Sequence, residues 1–284
     1  MIHKLTTLNM KLIFKYLIVF AVIFFYCCSR NVEKKDTVAL TDLETDTCDC
    51  DKDPRYADTN LSVQLIHAAA EGDYEKLKEL LQKNIEINHK DKYKENALSL
   101  ACHNGHYKCA KILIEHGIDV NNVNIDNTTP LMYSATLGYT DIVKLLIDHK
   151  ADLNRLSSEG DNALIYAMLG DHYEVVKLLV DHNADLNFTL HDNDNILTLL
   201  VNKDNTKIAR CLIDKGIDVN AGNDYNDTPL MAACRSNNFK LVKLLVEKDA
   251  DINAKDSDGD SVLKHAERGG DKKIIEYLKG KGAV

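Results

Sequence analysis

Residues 124–156 read NIDNTTPLMYSATLGYTDIVKLLIDHKADLNRL, and the fold follows from this stretch. Thr129-Pro130-Leu131 opens a short helix. Proline at the first helical position sacrifices no hydrogen bond and presets φ, and the threonine before it can cap the free N–H groups. Gly138 ends the helix, since glycine enters the left-handed region without strain. Over 141–149 a second helix buries Ile142, Val143, Leu145 and Leu146 on one side. Ala151-Asp152-Leu153-Asn154 then leads into the next loop. A pair of helices this short cannot enclose a core of its own, so it must stack on others.

The neighbours are more of the same. Leu65, Leu98, Leu131, Leu164, Leu197, Leu230 and Leu263 recur every 33 residues, and so do Leu80, Leu113, Leu146, Leu179, Leu212, Leu245 and Leu278. Asn88, Asn121, Asn154, Asn187, Asn220 and Asn253 keep the same step. A fixed period of this length marks one supersecondary unit repeated in tandem. The Gly138 position is filled elsewhere by Gly72, Gly105, Asp171, Asp204, Asn237 and Gly270, residues that tolerate a left-handed helix end. Ala68, Ala101, Ser134, Ala167 and Ala233 let adjacent first helices approach closely.

This pattern resembles the ankyrin repeat, with its T-P-L helix start, V-V-x-L-L second helix and G-A-D-V-N-A exit. The resemblance covers residues 58–284 and predicts an all-α solenoid of helix-turn-helix units joined by hairpin loops. The units are 58–90, 91–123, 124–156, 157–189, 190–222, 223–255 and 256–284. The signature histidine after the T-P-L leucine is absent. The fifth unit is the weakest, with Leu200 and Val201 where two alanines are usual. The first and last units read as caps.

At the end of each second helix stand Lys83, His116, His149, His182, Lys215, Lys248 and Lys281. Positive charge there complements the helix dipole. Acids precede most of them (Glu115, Asp148, Asp181, Asp214, Glu247), which predicts two parallel charge ladders.

The N-terminus is different. Residues 17–26 read LIVFAVIFFY after Lys11 and Lys15, a basic region followed by an apolar one of signal-peptide length. Cys27 and Cys28 close it, as in the signals of bacterial lipoproteins. Cys28 is the expected lipidation site and Cys27 the alternative, because the bulky Tyr26 precedes Cys27. Residues 1–27 are therefore expected to be a signal peptide or membrane anchor. Residues 28–57, acidic and aperiodic, are expected to form a disordered tether. The predicted address is exported and anchored in the cell envelope, with a periplasmic or secreted form as the alternative.

Net charge is −9, and residues 1–27 hold Lys4, Lys11 and Lys15 without an acid, so their removal leaves −9 − 3 = −12. An acidic chain argues against nucleic acid as a partner, since that binding runs on Lys and Arg against phosphate. No Walker loop, Rossmann glycine fingerprint, G-x-S-x-G elbow, H-E-x-x-H or C-x-x-C occurs. No enzyme activity, cofactor or metal is expected. Asp256, Asp258, Asp260 and Glu267 mimic a calcium loop, but Ser261 stands where that loop needs glycine. A metal-binding envelope protein using these residues or Cys48, Cys50 and Asp51 is the competing class. Cys102, Cys109, Cys211 and Cys234 fall on apolar positions and read as small core residues. His103 and His106 sit beside a helix end and read as capping groups.

The ankyrin resemblance implies a non-enzymatic scaffold that binds a partner protein through hairpin tips and the exposed side of the first helices. Carried over by position, that surface holds Leu100, His103, Asn104, Tyr133, Thr136, Leu137, Tyr166, Leu169, Asn202, Lys203, Arg235 and Ser236. Tyr133, Leu137, Tyr166 and Leu169 form its expected apolar centre, unless the aromatics pack between units. Tip acids at Asp126, Glu159, Asp161, Asp192, Asp194, Asp224, Asp227, Asp258 and Asp260 point to a partner with a basic surface. The chain is expected to be monomeric, and an inhibitor or protector of a periplasmic enzyme is the narrower alternative.

Overall fold

The structure is a computed structural model that describes residues 60–186, 195–201 and 206–284. The expectations for residues 1–57 lie outside the described residues. So do the tip acids Asp192 and Asp194 and the surface residues Asn202 and Lys203.

Each unit except the fifth contributes an inner α-helix, a tight reversal and an outer α-helix. In order these are α1 (Leu61–Glu71) and α2 (Tyr74–Leu80), α3 (Ala97–His103) and α4 (Tyr107–Glu115), α5 (Pro130–Thr136) and α6 (Thr140–Asp148), and α7 (Ala163–Leu169) and α8 (Tyr173–Asp181). A 3₁₀ helix (Ile196–Leu200) then precedes α9 (Thr206–Asp214). The series ends with α10 (Pro229–Arg235), α11 (Phe239–Glu247), α12 (Val262–Gly269) and α13 (Lys272–Gly280). Among the described residues there is no strand beyond one isolated bridge, Lys255 to Ser261, and no helix is long and apolar enough to cross a membrane.

The leucine ladders are the core. All seven outer-helix leucines, Leu80 to Leu278 in steps of one unit, are fully buried. The inner ladder is buried from Leu65 to Leu230, and Leu263 is half-buried. Ala68, Ala101, Ser134, Ala167 and Ala233 are sealed between inner helices. The fifth unit departs from the pattern. Its inner segment winds as 3₁₀, and Leu200, at the position other units fill with alanine or serine, is buried. The larger side chain takes up the space that adjacent α-helical backbones need.

The helix ends follow the expected residues. Thr129, Thr228, Asn96, Asn162 and Ser261 each accept a backbone N–H three residues on. At the other end Gly72, Gly105, Gly138, Asp171, Asn237 and Gly270 all have positive φ, between 57° and 86°.

The asparagine ladder links the units. Oδ1 of Asn88 accepts Asp119 N–H at 2.7 Å, Asn121 accepts Asp152 at 2.8 Å and Asn154 accepts Asp185 at 2.9 Å. Asn220 accepts Asp251 at 2.8 Å, and Asn253 accepts Val284 at 3.1 Å. The charge ladder is real in the later units, where Lys215 meets Asp181 at 2.8 Å and Lys248 meets Asp214 at 2.5 Å. Lys177, with Lys215, holds the exposed Asp181 carboxyl down at about 2. In place of lysine, His116, His149 and His182 each turn Nδ1 onto the carbonyl four residues back, at 2.8–2.9 Å.

Candidate functional site: the hairpin tips and inner helices

In five of the units the hairpin is built by one side chain at its base. Asp91, Asn124, Asn223 and Asp256 each receive, on Oδ1, the N–H groups two and four residues on, at 2.8–3.0 Å. Ser157 does the same through Oγ at 3.3 Å. The turn residue that follows is left-handed throughout: Lys94, Asn127, Gly160, Asn226 and Gly259. The calcium-like run at Asp256 is therefore the common hairpin frame. Two of its carboxylates are engaged: Asp256 also accepts from His265 Nε2 at 2.9 Å, and Asp260 pairs with Lys264 and Arg268. No group of metal-capable side chains is assembled among the described residues.

Successive tips are stitched by backbone bonds. Ile125 N–H donates to Tyr93 O at 3.0 Å, Ser158 to Asp126 O at 2.9 Å and Ser257 to Tyr225 O at 2.8 Å. The tips are thus rigid with respect to one another, which lowers the entropy lost when a partner docks on them.

The inner-helix residues singled out in the sequence are placed as follows. Leu100 is 6% exposed and belongs to the core rather than the surface. His103, Asn104, Tyr133, Thr136, Leu137, Tyr166, Leu169, Arg235 and Ser236 are half-buried. Most of their polar groups serve the solenoid. Tyr166 OH donates to Ser157 Oγ at 3.2 Å, tying helix α7 to its own hairpin. Tyr133 OH donates to Glu95 Oε1 at 2.6 Å in the preceding unit, and its ring stacks on His103 with centroids 4.8 Å apart. Asn104 Nδ2 donates to Ala70 O at 2.8 Å and Ser236 Oγ to Val201 O at 3.1 Å, both across a unit boundary. Arg235 is clamped between Asp227 (2.8 Å from Nη1) and His265 Nδ1 at 3.0 Å.

His106 caps a helix, but not its own. Helix α4 has no side-chain cap bond; instead His106 Nε2 meets Ala70 O at 3.1 Å, at the end of α1. His172 does the same to Thr136 O at 2.9 Å. Of the cysteines, Cys102, Cys109 and Cys234 are buried as expected, whereas Cys211 is half-buried on the outer face. Burial pushes the Cys102 and Cys234 thiols up to about 12, so they remain protonated and unreactive.

The tips hold what the sequence reading passed over. Large apolar side chains are exposed at Tyr93 (45%), Ile125 (54%), Leu156 (46%) and Tyr225 (59%), all on hairpin loops. The first three lie at consecutive hairpins. Their signal was present: other units put Asp126, Glu159 or Asp258 at the Tyr93 position and Lys92, Ser158 or Asp224 at the Ile125 position. Around them Lys90, Lys92, Lys94, Asp126 and Glu159 are exposed. Asp224 and Asp258 are exposed further along. Asp161, Asp227 and Asp260 are not free tip charges, since the first is buried and the others are paired with arginine and lysine.

The sequence profile described as ankyrin repeats (3 copies) matches residues 48–124, 65–157, 121–189, 187–256 and 221–284. Among solved structures, the human ASB11 ankyrin repeat domain is similar, with 26% identity and a TM-score of 0.65, covering 78% of this chain and 98% of that one. The ankyrin repeat domain of Bcl-3, a unique member of the IkappaB protein family, aligns with a TM-score of 0.70 and 22% identity, covering 79% of this chain and 99% of that one. No curated protein sequence matches.

Proposed function

Because the chain belongs to the ankyrin-repeat family, we propose that it is a non-enzymatic protein-binding scaffold, exported and held at a membrane by its N-terminal segment. Ankyrin-repeat proteins are typically interaction scaffolds without chemistry of their own. The observation that carries the reading here is the row of exposed apolar side chains, Tyr93, Ile125 and Leu156, on three consecutive hairpins. Solvated apolar groups are ordinary singly. A row of them on a backbone-bonded ribbon, rimmed by Lys90, Lys92, Lys94, Asp126 and Glu159, suits an apolar anchor from a partner with charged flanks. The half-buried inner-helix residues His103, Leu137 and Leu169 extend the same surface inward.

The partner is a protein, bound by a monomer of this chain. Export and tethering rest on the apolar run 17–26 behind Lys11 and Lys15 and on Cys28. Two experiments test the reading. In the first, the full chain and a Tyr93→Ser, Ile125→Ser, Leu156→Ser variant are used as baits in envelope extract. A protein retained by the first and lost by the second supports binding at the tips, whereas equal retention moves the contact to another face. In the second, Cys28→Ser is followed by detergent phase partition. Loss of the chain from the detergent phase supports the lipid anchor; unchanged partition of Cys28→Ser and of Cys27→Ser removes it.

A further inference from the structure

Glu95 is the acid most deeply set in the described residues outside any ion pair. It ends the hairpin of unit 91–123, with 6% of its surface exposed. Both donors that reach it come from unit 124–156 and share one oxygen. Tyr133 OH donates to Oε1 at 2.6 Å and Asn124 Nδ2 donates to Oε1 at 2.9 Å. Oε2 is buried with no donor. Ser99 lies within hydrogen-bonding reach of the carboxyl, where a donated proton would favour the ionised form, but in the structure that proton goes to Asn96 Oδ1 at 3.1 Å. With its proton so placed, Ser99 Oγ takes Asn122 Nδ2 at 3.0 Å and keeps one lone pair. Asn122 Oδ1, on the same seam, is the other buried side-chain oxygen without a donor among the described residues. The seam is short of hydrogen.

No cation makes up the difference. The charged neighbours that act on this cluster are Asp91 from the same hairpin and Asp126 from the next, both negative. His103, stacked on Tyr133, is the one base of the cluster, and burial lowers its pKa so that it stays neutral. Lys92 and Lys94 are exposed, and the Lys92 ammonium sits over the Tyr93 ring at 4.9 Å. An ionised carboxylate placed here would bury a bare charged oxygen.

We propose that Glu95 is held at neutral pH as a carboxylic acid, its proton on Oε2, and that this proton removes the charge that would otherwise be buried in the seam between the second unit and the third. Oε1 is then the carbonyl oxygen, with both lone pairs used by Tyr133 and Asn124. Oε2 becomes a hydroxyl donating toward Ser99 Oγ. Proton loss leaves the negative charge between Asp91 and Asp126 with one oxygen unsolvated, and the seam loosens. Burial raises the Glu95 pKa in the same sense and outweighs the hydrogen bonds of Tyr133, Asn124 and Ser99, which lower it.

The test is a titration of the full chain labelled with carbon-13 at the glutamate carboxyl, followed by NMR from about pH 4 to about pH 9, with Glu95→Gln identifying the resonance. The Glu95 signal is expected to stay in its protonated position after the exposed glutamates have ionised at about pH 4.3. Because the glutamine copies the neutral acid, the unfolding constant of the wild type relative to Glu95→Gln is expected to rise tenfold per pH unit from about pH 4.3 until Glu95 ionises. Tyr133→Phe removes a donor that favours the ionised form, so the Glu95 midpoint is expected to move up further. Titration of Glu95 together with the exposed glutamates, or a wild-type to Glu95→Gln ratio constant with pH, would overturn the assignment. The wild-type titration is decisive even should a variant not fold.

Discussion

At the scale of single residues, the repeat frame asks for the same backbone angle in every unit, and the side chain that meets it varies. Lys94 turns its hairpin at φ 62°, where other units place Asn127, Gly160, Asn226 and Gly259. A left-handed lysine is strained by about 1–2 kcal/mol. Lys94→Gly relieves this at some cost in unfolded-chain entropy and is expected to stabilise the chain by about 0.5 kcal/mol in denaturant melts. Gly138 and Gly160 separate two requirements. Both have positive φ, but a Cβ on Gly138 would fall 2.5 Å from His172 Nδ1, whereas one on Gly160 meets open space. Gly160→Ala is expected to cost about 1 kcal/mol and Gly138→Ala roughly twice that or more. Equal losses would refute the packing explanation. The left-handed positions could be read from the sequence. The ring against Gly138 could not, although its trace is there: Gly72, Gly105 and Gly138 each face an aromatic ring from the next unit (His106, Tyr139, His172), while Asn237 precedes a unit with the smaller Asp271. For Glu95 the sign runs as for any acid whose folded pKa is raised. Its stabilisation is complete below the unfolded value of about 4.3 and is lost as pH rises through the folded one.

At the scale of elements, the caps and ladders carry a stability that no single helix has, since seven to eleven residues are too few to be helical alone. Thr129 caps helix α5 through Met132 N–H at 3.2 Å. Thr129→Ala is expected to cost about 1 kcal/mol, read as a shift of the denaturant midpoint without a change of slope. Leu146 is an interior rung of its ladder, fully buried. Leu146→Ala is expected to cost about 3–4 kcal/mol because flanking units on both sides limit collapse of the cavity. Both elements were legible, because period and capping residues are local facts. The 3₁₀ form of Ile196–Leu200 was foreshadowed only as a weak unit. How a misfit resolves depends on the neighbours that press on Leu200.

At the scale of the whole solenoid, stability is a sum over units and their interfaces, so the least regular unit opens first. Amide hydrogen exchange over Thr206–Asp214 is expected to be faster than over Thr140–Asp148, and equal protection in the two helices would contradict this. The sequence by itself determined the period, the helix pairs, their caps and the buried leucine rows, because these depend on spacing along one chain and on the chemistry of single residues. The contact surface was decided only in three dimensions. Tyr133, Tyr166 and Arg235 look free in a linear reading, yet each is engaged by a hairpin or by the next unit. Tyr93, Ile125 and Leu156 stand 31 or 32 residues apart, off the 33-residue register, yet lie on neighbouring tips. Exposure is a property of what the neighbouring units cover, and a sequence read one unit at a time does not contain it.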